Sequence, residues 1–233
     1  MQDKILYING DSYSADIDNF SVYDKFLAEK LNLNYINKAI PGSSNSRIFR
    51  DTLEDCIKFI NQNTKPYVIL GLSFVTREEV WRDDADEKIV RRFNDSVGKL
   101  VPLDFLRKEQ LSTEDLYKVI DSNINTQMVH FYTELYMLIN TFENLHVPYF
   151  IFSAADNQDF RRLNWTYLKS LGIFKAISQN ANVLDLHGFN IPLWAKKNNV
   201  PTNETGHLIG TNEHKTFAEY IINNHLLKLN WDK

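Results

Sequence analysis

The stretch Ile5-Leu6-Tyr7-Ile8-Asn9-Gly10-Asp11-Ser12-Tyr13-Ser14 decides how the chain is read. Its apolar, β-prone half ends abruptly at Gly10-Asp11-Ser12. That pattern predicts a buried strand stopping at a tight turn, with a serine held at the strand's carboxyl end. In open α/β sheets, ligand sites form just outside those ends. A serine hydroxyl is a poor nucleophile alone and needs a base, usually a histidine oriented by a carboxylate. Glu204-Thr205-Gly206-His207, far along the chain, offers both groups. The competing reading of Ser12 is a turn serine whose hydroxyl bonds to the backbone.

Working outward, residues 34–40 read as a second short strand, followed by the small-residue turn Pro41-Gly42-Ser43-Ser44-Asn45-Ser46. Asn45 or Ser46 is placed to cap a helix from Arg47 to Ile60. Residues 67–72 are nearly all apolar, as in a strand buried on both faces of a parallel sheet. Residues 148–153 and 182–186 predict a fourth and a fifth strand. Helical spacing runs over 20–31, 112–144 with a break near 121–125, 160–171, 191–197 and 213–229. Strands alternating with helices predict an α/β fold: a three-layer α/β/α, doubly wound, mainly parallel five-stranded sheet of flavodoxin-like type. The absence of repeats, low-complexity segments and linkers predicts a single domain over residues 1–233.

With 233 residues, 43% of them hydrophobic and 13% aromatic, the chain can build a sizeable core without staples. The net charge is −4, from 26 basic and 30 acidic residues, with no long basic run, so nucleic acid is not an expected partner. The dense mixed charge of residues 83–92 reads as a solvated face. The lone Cys56 excludes an intrachain disulfide, fits a reducing compartment and lies on an apolar helical stripe, as a core residue would. No run is long enough for a membrane span and none resembles a signal peptide, so the expectation is a cytoplasmic protein without membrane contact. No His/Cys/carboxylate cluster has metal-ligand spacing and no glycine-rich phosphate loop follows a strand, so neither metal nor cofactor is expected.

Together these residues resemble the SGNH hydrolases, the GDSL esterase/lipase superfamily, over residues 4 to about 222. Gly10-Asp11-Ser12 resembles the first block, with Ser12 as nucleophile. Asn37-Lys38-Ala39-Ile40-Pro41-Gly42-Ser43-Ser44-Asn45 resembles the second, whose glycine supplies an oxyanion-hole amide; Gly42 takes that place. Gly71-Leu72-Ser73-Phe74 falls where the third block, Gly-x-Asn-Asp, belongs, so Ser73 replaces an asparagine donor, and Asn45 is a substitute source of the missing amide. Glu204-Thr205-Gly206-His207 falls where the fifth block, Asp-x-x-His, belongs. The C-terminal pattern Gly206-His207, Glu213-His214-Lys215 and Ala218-Glu219-Tyr220 is similar to hydrolase-like proteins of tailed phages.

The resemblance implies a serine esterase acting on a small-molecule or carbohydrate ester, an O-acetyl group being the expected acyl group. Ser12, His207 and Glu204 would form a triad, with Gly42, Asn45 and Ser73 about the oxyanion. Asn203 is the alternative to Glu204 behind the histidine. Asn45 has helix capping as an equally good use. Arg77 is a candidate for an anionic group on the substrate, against a salt bridge with Glu78, Glu79 or Asp51. His214 is the rival base, expected on the surface of the last helix; His130, His146, His187 and His225 read as structural or solvated. The rival to an enzyme is a binding or structural protein, such as one of a phage particle, that keeps the fold with a weakened site.

Overall fold

The computed structural model describes residues 2–16, 22–75, 77, 79–81, 100–102, 124–155 and 164–228. The predicted helical segment 112–123, the charged stretch 83–92 and residues 160–163 lie outside them.

Four parallel strands form the central sheet: β1 (Asp3–Gly10), β2 (Asn34–Asn37), β3 (Thr64–Leu72) and, after a short antiparallel pair β4 (Glu79–Trp81) and β5 (Leu100–Pro102), β6 (Tyr149–Ser153). Their order is β2-β1-β3-β6. Ile8 pairs with Ile69 and Gly10 with Gly71, so β1 and β3 end side by side. The chain leaves β1 for β2 on one side and β3 on the other, which makes the gap beyond β1 and β3 the topological switch point where such sheets bind ligands.

Seven α-helices cover the sheet among the described residues: α1 (Tyr23–Leu31), α2 (Asn45–Asn61), α3 (Ile124–Asn144), α4 (Trp165–Ser170), α5 (Gly172–Ser178), α6 (Ile191–Lys197) and α7 (Thr211–Asn224). The period-2 alternation of strand side chains divides the core. Tyr7, Val68, Leu70, Leu72, Tyr149 and Ile151 pack against α2 to α5. Leu6, Ile8, Tyr67, Ile69, Phe150 and Phe152 pack against α1, α6 and α7. The three-layer α/β/α arrangement follows, as the apolar run at 67–72 implies.

Three boundaries differ from expectation. The predicted fifth strand is a single parallel bridge, Ile151 to Val183, beside β6. Leu184 N–H donates to the Ile151 carbonyl and Ile151 N–H to the Asn182 carbonyl before the chain turns at Asp185. The sheet therefore has four full strands rather than five. Ser44, not Asn45 or Ser46, caps α2, its Oγ accepting from the Arg47 amide at 3.1 Å. The closing helix stops at Asn224, and a 3-10 turn over Leu226–Lys228 follows.

Candidate active site

At the end of β1 the backbone closes into one helical turn: the amides of Ser14 and Ala15 both donate to the Asp11 carbonyl at 3.0 Å. The turn buries Asp11, Tyr13 and Ser14 and leaves Ser12 half-buried. Ser14 points into the fold, where its hydroxyl accepts from Tyr23 at 2.7 Å. Ser12 points out, toward the loop between α6 and α7.

That loop carries His207. Its Nε2 lies 2.9 Å from Ser12 Oγ, across 195 residues of sequence. The imidazole stacks on the Tyr13 ring, with centroids 4.0 Å apart and planes 4° from parallel. The Tyr13 hydroxyl donates to the Thr205 carbonyl at 2.8 Å. Gly206, between Thr205 and His207, has φ +83°, and a Cβ there would meet Pro192 Cγ at 2.7 Å, so both conformation and space require glycine. Burial, and then the nearby Arg77 charge, hold the His207 pKa below its ordinary value.

Behind the ring the structure departs from expectation. His207 Nδ1 lies 2.8 Å from Thr205 Oγ1, and that hydroxyl lies 2.8 Å from Asn203 Oδ1. Asn203 Oδ1 also accepts the amides of Thr205 and His207, each at 3.0 Å. Glu204, expected to orient the histidine, is exposed and makes no hydrogen bond to His207. The tight turn explains this: Asn203 and Thr205 fold toward each other around the Asn203 oxygen, and the intervening Glu204 side chain is left in solvent. Thr205 was missed by sequence reasoning. The usable signal was Asn-x-Thr-Gly-His, an Asx-turn sequence in which the side chain two before the histidine folds back.

The expected oxyanion donors separate into two groups. The Gly42 backbone has φ +84°, a left-handed conformation that favours glycine. Among the described residues, the amides of Ser12 and Gly42 have no protein acceptor. Asn45 and Ser73, by contrast, are engaged elsewhere. Asn45 Nδ2 donates to the carbonyls of Ser73 at 3.1 Å and Phe74 at 3.4 Å, and its Oδ1 accepts the Ser73 amide at 2.8 Å. It clamps α2 to the end of β3. The fully buried Ser73 hydroxyl donates to Asp11 Oδ2 at 2.8 Å. Neither side chain is turned to a substrate, because each satisfies buried polar groups that would otherwise be left unpaired.

Arg77 does form an ion pair, with Asp11, an acid outside the expected set. Arg77 Nη1 lies 2.7 Å from Asp11 Oδ2 and 2.8 Å from Ser73 Oγ. Asp51 pairs instead with Arg47 at 2.9 Å. Burial pushes the Asp11 carboxyl up, against the pull of Arg77 and of the Tyr13 amide. The guanidinium lies over the Phe74 ring at 4.9 Å and keeps part of its surface exposed.

His214 is not the surface group expected. It is 2% exposed, 6.2 Å from the Tyr23 ring, and its pKa is pushed down to about 4, chiefly by burial. A neutral imidazole in the core under α7 is a packing group. No cluster of metal-ligating side chains occurs among the described residues. No described helix is long and apolar enough to cross a membrane.

No family model and no curated relative matches the sequence. The fold is similar to that of the psychrotrophic esterase EstA from Pseudoalteromonas sp., solved with monoethylphosphonate as inhibitor. The TM-score is 0.50 and the identity 15%, over 96% of this chain and 97% of the esterase. A carbohydrate esterase whose active site has divergent catalytic and non-catalytic binding functions aligns at TM-score 0.44 and 12% identity, over 98% of this chain and 66% of its own. The first likeness, with the sheet order and the two covered faces, shows a shared three-layer α/β/α fold.

Proposed function

We propose that this chain is an esterase that cleaves small acyl esters through a serine nucleophile, an O-acetyl group on a carbohydrate being the preferred class. The observation that carries the reading is the 2.9 Å contact between Ser12 Oγ and His207 Nε2, made by a ring that Tyr13 holds from the side. In this mechanism Ser12 Oγ attacks the ester carbonyl carbon while its proton passes to Nε2. The amides of Ser12 and Gly42 take the developing oxyanion. Collapse breaks the bond to the alcohol, which leaves with the proton from Nε2. Water then attacks the acyl-serine, giving a proton to Nε2; collapse breaks the bond to Ser12 Oγ, which takes that proton back, and the acid departs. Arg77, on the rim beside Asp11, suits a substrate bearing an anionic group. The O-acetyl preference rests on the likeness of the first and second sequence blocks to the hydrolase superfamily, which is an argument by analogy.

A second reading, a binding protein that keeps this fold, is favoured by two observations: no carboxylate touches His207, and Asn45 and Ser73 are engaged in structure. Turnover of p-nitrophenyl acetate by the wild type and by Ser12→Ala separates the two. An esterase loses several powers of ten in rate in the variant; equal rates in both proteins reject the proposal.

A further inference from the structure

We propose that Thr205 and Asn203 are positioning residues that form an uncharged relay behind His207, doing by hydroxyl and amide what a carboxylate does in a triad. This rests on the reading of Ser12 and His207 as nucleophile and base.

The inference comes from counting protons. Two backbone N–H groups, of Thr205 and His207, converge on one side-chain atom of Asn203 at 3.0 Å each. Backbone amides only donate, so that atom is the oxygen and the amide flip is fixed. The Thr205 hydroxyl lies 2.8 Å from the same oxygen and has a single proton to give it. Its lone pairs then remain for the group on its other side, His207 Nδ1 at 2.8 Å. Nδ1 must therefore be the protonated nitrogen. A neutral imidazole has one N–H, so Nε2 is bare and faces Ser12 Oγ as an acceptor. The opposite tautomer would make the hydroxyl turn its proton to Nδ1, withdraw it from Asn203, and set an N–H against Ser12.

In a triad the acid has two tasks: it selects this tautomer, and it stabilises the imidazolium by charge. The relay performs the first and replaces the second by a hydroxyl dipole. The ring is also clamped by the Tyr13 stack and by the bond from the Tyr13 hydroxyl to the Thr205 carbonyl, so the relay residue and the base move as one unit. The exposed Glu204 has no part in it.

The test uses two readouts on the full chain. Long-range 1H–15N NMR of histidine-labelled protein, with His207 assigned by its loss in His207→Gln, reads the tautomer without turnover. Hydrolysis of p-nitrophenyl acetate is followed in parallel across pH. The relay requires that wild-type His207 carry its proton on Nδ1 and that Thr205→Val shift the ring toward the other tautomer. It also requires kcat in Thr205→Val to fall about 10²-fold, the scale of a misplaced catalytic group, with KM held within about threefold. Thr205→Ser, which restores the hydroxyl, must restore both signals. Asn203→Asp must move the acid limb of kcat/KM to higher pH, because a carboxylate now favours the imidazolium. A wild-type ring protonated on Nε2, or a Thr205→Val protein with unchanged tautomer and kcat, overturns the relay. If hydrolysis proves independent of Ser12 while the Nδ1–H tautomer still depends on the Thr205 hydroxyl, the esterase reading falls and the relay stands as the device that sets the ring.

Discussion

Asp11 and Arg77 form an ion pair at the turn that carries Ser12: the carboxylate is wholly inaccessible, the guanidinium partly exposed, and Arg77 Nη1 reaches the carboxylate at 2.7 Å. A paired buried charge tolerates removal of its partner poorly. Arg77→Ala should cost about 3–5 kcal/mol of stability in urea unfolding. The double variant Asp11→Asn, Arg77→Met removes both charges and should recover more than half of that loss. Equal destabilisation in the single and double variants would show that the pair's charges are not what is being felt.

In the proposed esterase, His207 should confer tolerance of acid. Burial and the Arg77 charge both disfavour the imidazolium, so the base stays neutral below the ordinary histidine value of 6.5. Activity needs the neutral form, so the acid limb of kcat/KM should have its midpoint below pH 6.5. Arg77→Gln removes the cation, and burial then pushes the Asp11 carboxyl further up, toward its neutral form. Loss of the cation favours the protonated ring, so the limb should move to higher pH. A limb that is unmoved, or moves downward, would detach Arg77 from the site's electrostatics.

His214 should set a limit on stability at low pH. Its folded pKa of about 4 lies below an unfolded value of 6.5, so the unfolded chain binds the extra proton first. The stability it permits is complete above pH 6.5 and is lost as pH falls toward 4, by on the order of 3 kcal/mol. Melting temperatures of wild type and His214→Gln, compared between pH 7.5 and pH 4.5, check this. The variant should start lower at pH 7.5 and show a smaller drop on acidification.

Gly42 and Asn45, three positions apart in sequence, should fail in different ways. Gly42→Ala forces a Cβ onto φ +84°, a strain of about 1–2 kcal/mol. If that strain displaces the amide, kcat should fall by about 10²-fold or more, the effect of losing one oxyanion donor. Asn45→Ala leaves a buried amide and carbonyls at the end of β3 without partners and should cost about 1–3 kcal/mol in stability. Its effect on kcat should be much smaller than that of Gly42→Ala. Urea melts and steady-state kinetics on the two variants decide whether the two roles are separate.

The sheet and its carboxyl edge were legible in the sequence because they depend on local apolar runs: 5–8, 67–72 and 149–153 are each too apolar for anything but a covered strand. The meeting of Ser12 and His207 was legible because a serine after a first strand and a histidine in a late loop are types that pair at the edge of such a sheet. What was not legible depends on which way a side chain turns. Glu204 and Thr205 are neighbours, and the folding of the Asn203 side chain back onto its own turn decides which of them meets the imidazole. Asn45 and Ser73 are the right chemical types for oxyanion donors, yet the buried carbonyls of β3 and the carboxylate of Asp11 claim them first. Val183 is β-prone, but Asp185 and Gly188 turn the chain away after one bridge.

The bond from the Tyr13 hydroxyl to the Thr205 carbonyl has a bearing on the chain's birth. It joins parts of the polypeptide 192 residues apart, and contacts at such separation form only after the intervening sheet and helices have drawn the ends together. In the proposed esterase, a chain that has not yet closed this contact carries its serine without a base. Reactivity toward esters would then come with the folded state and not with the open chain, the tyrosine tying the two together.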